Sequence, residues 1–344
     1  MKAISIDSHG PPEVIKIKDI PEPLCSKDKV KVKIMASSIN HLDLWVRQGI
    51  KGLHVDFPHI LGSDGSGIIC EVGSSVTNFK VGDSIIIQPG VYDANCQISQ
   101  KGSENLSPSY GILGETENGV QAEYVVLDPA NIHIMPGHLT YTEAAAMPLT
   151  FMTSYQMLIK RANISSNDVV FIYGATSGVG YAAIQIAKDI GCEVISTVGS
   201  EEKMKYAKDV GSDHVLLHNE NLYEEAKTYL KGRKVDVVFE HIGYKTWDTS
   251  MKLLATGGRL VTCGATTGID VSINLAHLFF RQLSILGSTM SDIDTFKQVM
   301  SKISERSYSP LIDKCFSYFD IIEAHRRIEE RKNIGKVIVQ FENR

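Results

Sequence analysis

Three things are scarce in this chain of 344 residues. Basic charge is not in excess: 35 Lys and Arg face 40 Asp and Glu, for a formal net charge of −5. That argues against a dedicated nucleic-acid binder, whose phosphate-facing surface is normally basic, although a local basic patch is compatible with it. Cysteine pairs are missing. Cys25, Cys70, Cys96, Cys192, Cys263 and Cys315 are scattered, the closest two, Cys70 and Cys96, lie 26 positions apart, and there is no C-x-x-C. This is neither a disulfide framework nor a clustered zinc site. Six separate reduced thiols are expected, mostly buried as small apolar groups. Long apolar runs are missing too. The longest uncharged stretch, residues 169–187, contains Gly174, Gly178 and Gly180 with Thr176, Ser177 and Gln185. It reads as strand, tight turn and helix rather than as a membrane span. The opening Lys2-Ala3-Ile4-Ser5-Ile6-Asp7 lacks the apolar core of a secretion signal, so a cytoplasmic protein with no membrane partner is expected.

What is present is a globular composition, 43% hydrophobic and 22% charged, in a chain long enough for two domains with cores of their own. Residues 1 to about 130 carry short, turn-punctuated strands: Val30-Lys31-Val32-Lys33-Ile34 alternates, residues 67–73 form an apolar run closed by glycine, and residues 81–87 and 119–126 follow suit. A small barrel or sandwich is expected there. From Val169 the pattern becomes strand, helix, strand. Strands are predicted at 169–173, 193–198, 214–217, 235–240 and 259–263, and helices at 180–190, 203–210 and 222–230. Fully apolar strands alternating with helices predict an α/β fold, a doubly wound parallel sheet covered on both faces. From about Asp292 the pattern is mixed: helices at 293–304 and 320–331, each followed by a strand, at 311–316 and 336–341. There is no internal repeat or low-complexity tract.

Tyr173-Gly174-Ala175-Thr176-Ser177-Gly178-Val179-Gly180 follows a strand and opens a helix. A doubly wound sheet places a dinucleotide pyrophosphate on such a turn, where glycines admit the phosphates to backbone N–H groups and the helix dipole favours their charge. The turn is not a clean G-x-G-x-x-G, since Ala175 and Ser177 hold its first two glycine positions; the strand–turn–helix–strand context carries the reading. About 20 residues on, an Asp or Glu would bind the ribose 2′-hydroxyl of NAD. Here the position holds Val198 or Gly199, followed by Ser200-Glu201-Glu202-Lys203. Ser200 can donate a hydrogen bond and Lys203 supplies positive charge, which favours NADP over NAD; Glu201 and Glu202 oppose that preference.

The chain resembles the medium-chain dehydrogenase/reductase superfamily over nearly its whole length. The resemblance rests on Asn40-His41-Leu42-Asp43, His59-Ile60-Leu61-Gly62-Ser63-Asp64-Gly65-Ser66-Gly67, Val81-Gly82-Asp83, Gly119-Val120-Gln121-Ala122-Glu123-Tyr124, Ala144-Ala145-Ala146-Met147-Pro148-Leu149, the turn above, and Gly257-Gly258-Arg259-Leu260-Val261, in this order. It implies a GroES-like catalytic domain at 1–130 and 292–344 and a Rossmann domain at 131–291. Within the superfamily the chain is most similar to the branch of quinone oxidoreductases and zinc-family alcohol dehydrogenase homologues. The family pattern implies cofactor contacts at Thr153, Gly178, Val179, Ser200, Lys203, Gly243, Cys263, Gly264 and Lys336. His218 stands where quinone-reductase relatives often have a tyrosine beside the 2′-phosphate.

The departures carry as much meaning as the matches. The family's catalytic zinc sits on a Cys, a His and a second Cys; here those positions are Asn40, Ser63 with Asp64 after it, and the neighbourhood of Leu149-Thr150. An amide and a hydroxyl do not replace the thiolates and imidazole that zinc takes. The four-cysteine structural lobe is represented by Asp93, Cys96, Ser99 and Ser107, one thiolate of four. His41, His54, His59, Asp43 and Asp64 crowd the same region and leave a different metal site open. Without a Lewis acid, fixed hydrogen-bond donors must stabilise a developing oxyanion. An acceptor that delocalises charge, a quinone or an activated enone or carbonyl, needs the least help. The expectation is a zinc-independent, NADPH-dependent oxidoreductase. Its catalytic candidates are Asn40, as the donor to the substrate oxygen, His41, as phosphate contact or proton relay, and Asp43 and Asp64, as orienting groups. An alcohol dehydrogenase with an atypical metal site and a non-catalytic nucleotide-binding protein are the alternatives. From the resemblance, the last strand of the Rossmann sheet pairs between subunits, so a homodimer or homotetramer is expected.

Overall fold

The computed structural model describes residues 1–341. The described chain divides into two compact units, one of residues 1–149, 292–296 and 309–341, the other of residues 150–291 and 297–308. Residues 131–149 thus group with the first unit and 297–308 with the second, whereas the sequence reading divided the chain at 130/131 and 291/292. The reason is local. Ile132–Ile134 is a strand paired with Ser84–Ile87, inside the first unit's sheet, and Tyr308 stacks on Phe151 in the second unit, ring centroids 5.5 Å apart.

The first unit is built on a seven-stranded sheet. Its path runs Ile132–Ile134, Ser84–Ile87, Asp64–Val72, Val30–Ile39, Lys336–Gln340, Ile312–Ser317, with Tyr124–Leu127 pairing the start of Val30–Ile39. A three-stranded sheet of Ile15–Asp19, Lys2–Ile6 and His59–Ile60 packs with it. Ile4, Val32, Leu61, Ile69, Ile85 and Val337 are buried in one cluster between them. Two registers matter for the site. Ser38 lies opposite Asp64, and Val337 lies opposite Ile39. The far end of the chain is thereby brought alongside Asn40, which caps the helix His41–Gln48.

The second unit holds six parallel strands: β1 (Val169–Ile172), β2 (Glu193–Val198), β3 (His214–Leu217), β4 (Val235–Glu240), β5 (Leu254–Thr262) and β6 (Ser284–Gly287). Their order is 3-2-1-4-5-6, the order of a dinucleotide-binding sheet, whose ligand crevice opens at the carboxyl end of β1. Helix α1 (Gly178–Ile190) follows β1, and the helix Leu222–Leu230 follows β3. The uncharged stretch 169–187 is β1, its turn and α1 up to Ala187. No helix among the described residues is long and apolar enough to cross a membrane.

The cysteines depart from expectation. Only Cys192 is buried; Cys25, Cys96 and Cys263 are half-buried, and Cys70 and Cys315 are exposed. In an extended strand alternate side chains face outward whatever their chemistry, and Cys70 takes an outward position next to the buried Ile69.

Candidate active site and dinucleotide turn

Within the first unit, three of the four catalytic candidates form one buried polar cluster. Asp64 is fully buried, and its carboxylate collects four donors. Oδ2 accepts from Ser38 Oγ at 3.2 Å, from Asn40 Nδ2 at 2.9 Å and from Lys336 Nζ at 3.3 Å; Oδ1 accepts from the Leu149 N–H at 2.8 Å. Lys336 Nζ also donates to Asn40 Oδ1. The chemistry fixes the orientation of the Asn40 amide, because its oxygen faces an ammonium and its nitrogen faces a carboxylate. One Nδ2–H is left over. Asp43, fully buried, accepts from the Asn40 N–H at 2.7 Å and from the Gly62 N–H at 2.9 Å, closing a capping box that sets the direction of Asn40. Burial lifts the Asp43 carboxyl from its usual 3.8 to about 6, against the backbone donors and Lys336. Burial likewise lowers Lys336, with the Asp64 and Asp43 carboxylates opposing.

His41 stands apart from this cluster. It is exposed at the first position of its helix, edge-on to Trp45 with ring centroids 5.6 Å apart. Nor do the crowded histidines gather into a metal site. His54 is exposed and 3.6 Å from an exposed Asp56, and His59 is buried with its Nε2 3.1 Å from the Gly114 carbonyl. Among the described residues no three His, Cys, Asp or Glu side chains converge on a point where a metal ion would sit. At the positions of the family's catalytic zinc ligands the donor set is an amide already bonded on both sides, a carboxylate that already accepts from four donors, and the Ser63 hydroxyl, which is buried without a hydrogen-bond partner among the described residues. An ammonium supplies the positive charge there. This set does not suit a divalent cation. In the lobe, Cys96 donates its N–H to Asp93 O at 3.2 Å, and Ser107 Oγ is 2.9 Å from Ser109 Oγ. The Cys96 thiol is held below the usual range by the Ser107 hydroxyl first and then by the Ile98 and Ser99 N–H groups.

In the second unit the turn after β1 has the form its sequence suggests. Gly174 adopts φ +62° and donates its N–H to Thr197 Oγ1 at 3.2 Å; Ala175 N–H bonds Thr197 O at 2.8 Å. The turn is thus pinned to β2. Ser177 caps α1, its Oγ accepting from Gly180 N–H at 3.0 Å. A Cβ on Gly180 would lie 2.2 Å from Gly174 O, so only glycine permits this approach. Val179 O accepts from Ser154 Oγ at 2.8 Å, and Thr153 Oγ1 contacts Met290 Sδ at 3.7 Å. Beyond β2, Gly199 is exposed, with nothing within 4 Å of where a Cβ would be. Ser200 Oγ is 3.4 Å from Glu202 Oε1, and Lys203 ends the short turn 201–203. His218, just past β3, donates its N–H to Val198 O at 2.8 Å and sets its ring edge-on to Tyr173. Gly243 (φ +89°) donates to Glu240 Oε1 at 3.1 Å. Burial, with the Glu240 carboxylate, pushes the Cys263 thiol up to about 12. The Thr262 hydroxyl bonds Gly264 O at 3.1 Å. Of the residues assigned to the cofactor, Lys336 alone belongs to the first unit, where its ammonium is engaged by Asn40 and Asp64.

Sequence reading missed Ser38, Glu240, His241 and Ser250. Glu240 is fully buried; it binds the Ile242 and Gly243 N–H groups through Oε1, at 2.6 and 3.1 Å, and the Ser250 hydroxyl through Oε2 at 2.8 Å. An acidic residue ending an apolar strand was the available signal.

Residues 26–137 match the alcohol dehydrogenase GroES-like domain, and residues 178–305 match the zinc-binding dehydrogenase family. The chain is similar to an acryloyl-coenzyme A reductase of Sulfurisphaera tokodaii, 29% identical over 99% of this chain and 100% of that protein. It is similar to the quinone oxidoreductase of Homo sapiens, 27% identical over 95% and 94%. Among solved structures, one described as an NAD-dependent alcohol dehydrogenase superposes with a TM-score of 0.96 at 39% identity, covering 99% of this chain and 100% of that one. With the two matched domains, the parallel sheet and the pinned glycine turn in hand, the chain belongs to the medium-chain dehydrogenase/reductase superfamily and is an NAD(P)-dependent oxidoreductase.

Proposed function

We propose that the protein is a zinc-independent, NADPH-preferring reductase that delivers hydride to a quinone or to an activated carbon–carbon double bond conjugated to a carbonyl. The observation that carries this reading is the buried ammonium of Lys336 hydrogen bonded to both Asn40 and Asp64. A fixed ammonium stabilises negative charge less sharply than a coordinated Lewis acid, so it suits an acceptor whose charge spreads over a conjugated system. The names of the acryloyl-coenzyme A reductase and the quinone oxidoreductase fall in that class. When bound, the reduced nicotinamide supplies the hydride. The residues that would hold the dinucleotide are the turn from Gly174 to Gly180, with Ser200, Lys203 and His218 around the adenosine ribose. The space over Gly199, and the absence of an acid at the end of β2, favour an additional phosphate.

The roles of the first unit's residues follow from their bonds. Asn40 offers its remaining Nδ2–H to the substrate oxygen. Lys336 and Asp64 hold that amide in one orientation, and Asp43 holds its backbone. His41, exposed beside them in sequence, is the proton donor that completes reduction of the double bond. Purified protein should oxidise NADPH with a quinone or enone panel, and a chelator should not slow it. Near one zinc per chain, with activity lost on its removal, would overturn the reading. Asn40→Ala should lower kcat/KM by roughly a hundredfold, the usual cost of one oxyanion donor, and leave NADPH affinity unchanged.

One observation favours a second reading. The solved relative at 39% identity is described as an NAD-dependent alcohol dehydrogenase. Alcohol oxidation with NAD that disappears on dialysis against a chelator would select it. A homo-oligomer is also proposed. β6 is an open sheet edge, and Leu275, Phe279 and Phe280 just before it are 68, 61 and 77% exposed. An apolar edge of this kind is normally covered. Analytical ultracentrifugation of the protein and of a Phe280→Glu variant tests it: a single monomeric species for both would refute it.

A further inference from the structure

His241 is the residue immediately after β4, and β4 lies directly beside β1 in register, Phe239 opposite Ile172. Its ring therefore stands at the mouth of the glycine turn. Nε2 is 2.9 Å from the Tyr173 carbonyl oxygen. A carbonyl only accepts, so Nε2 carries the hydrogen, and in the neutral imidazole Nδ1 is left with an outward lone pair. The ring is pressed against Gly174: a Cβ there would lie 3.2 Å from both Cε1 and Nε2. No other described residue bonds to Nδ1. The residue as a whole is half-buried rather than enclosed. Burial of the rest of the ring holds the imidazole below the usual histidine range, with the Tyr173 carbonyl and Glu240 opposing. Glu240 does not bond to the ring, because its oxygens are occupied by the Ile242 and Gly243 N–H groups and Ser250.

Beside it the N–H groups that open α1 are donors suited to phosphate. A neutral imidazole nitrogen is an acceptor. It repels a phosphate oxygen and pairs with a hydroxyl. The sheet order decides which hydroxyl. With the pyrophosphate over the end of β1, the adenosine ribose lies toward β2, and β4 is on the opposite side of β1. We propose that His241 Nδ1 accepts a hydrogen bond from a hydroxyl of the nicotinamide ribose and so fixes the nicotinamide half of the cofactor. This rests on the reading of the protein as a nicotinamide-dependent enzyme.

The test is a set of binding titrations on the full chain, with NADPH and with 2′,5′-ADP, which lacks the second ribose. His241→Phe removes the acceptor and keeps a ring against Gly174; His241→Asn places an amide oxygen near the position of Nδ1. The expected result is NADPH binding weakened roughly five- to tenfold in His241→Phe, the worth of one neutral hydrogen bond. Binding of 2′,5′-ADP should be unchanged in both variants, and His241→Asn should recover part of the NADPH affinity. Equal weakening of both ligands, which a merely supportive ring would give, overturns the proposal, as does no change for NADPH. If the unaltered protein binds neither NADPH nor NADH, the nicotinamide reading itself fails; if it binds them and the variants do not discriminate, only the role of His241 fails.

Discussion

Lys336 donates from a buried ammonium to the amide oxygen of Asn40, 296 positions earlier in the chain. The same nitrogen is 3.3 Å from Asp64, and neither charged side chain is more than 6% exposed. Removing one partner of such a pair strands the other in a medium that solvates it poorly. Lys336→Met should cost about 3 kcal/mol in urea unfolding. Lys336→Met combined with Asp64→Asn should cost less than the two single losses added together, because the stranded charge is gone. Strict additivity in that cycle would mean that the pair is not coupled.

Asp43 predicts a pH dependence with a definite sign. Its carboxyl is raised from 3.8 to about 6 by burial, so the folded protein holds this proton more tightly than the unfolded chain. Below pH 3.8 both states are protonated and the site contributes nothing. As the pH climbs from 3.8 toward 6 the unfolded chain releases the proton first, and stability falls. Above about 6 the penalty is constant, about 3 kcal/mol for a shift of this size. The stability difference between the unaltered protein and Asp43→Asn should therefore move by about that amount between about pH 3 and about pH 7, in favour of the unaltered protein at the acid end. A difference that stays flat across the window would contradict the burial argument.

Thiol chemistry should not follow exposure. Cys70 and Cys315 are the exposed cysteines, yet burial of their surroundings raises both thiols, whereas the Ser107 hydroxyl lowers Cys96. The thiolate is the reactive form. Brief iodoacetamide treatment at neutral pH, read by peptide mass mapping, should label Cys96 ahead of the other two. Ser107→Ala should slow that labelling without affecting Cys70.

Cofactor preference should turn on Lys203. Replacing it by glutamate adds repulsion where a 2′-phosphate would sit, and the affinity ratio of NADPH to NADH should fall by at least about tenfold, the scale of one charged hydrogen bond. An unchanged ratio would show that Lys203 is an ordinary solvated lysine.

Much of the second unit is legible because its strands are buried on both faces and are therefore rich in β-branched and apolar residues. Residues 193–198, 214–217 and 235–240 fall where expected. The helix Tyr244–Leu253 escaped notice: Lys245, Asp248, Thr249 and Lys252 break its apolar pattern, and Gly243 at φ +89° disguises its start. In the first unit the alternation of residues 30–34 predicts a half-buried strand; the strand runs on to Ile39 and sits between neighbours on both sides, and Lys31 is buried, its ammonium reaching Glu22. Asn40, Asp43 and Asp64 could be picked out by motif. That Lys336 joins them could not, because pairing of Val337 with Ile39 is a long-range register that no local pattern encodes. His241 was invisible for the same reason: its meaning comes from β4 lying next to β1.

The strand Lys336–Gln340 lies between two strands of its sheet, Val30–Ile39 and Ile312–Ser317, rather than at an edge. During translation the first unit therefore keeps a gap in its sheet, and Asp64 lacks its counter-ion, until residues 336–340 have left the ribosome. The second unit's sheet, by contrast, is complete once residue 287 has emerged. The strand that fills the middle of this sheet is thus the last of the described strands to be made.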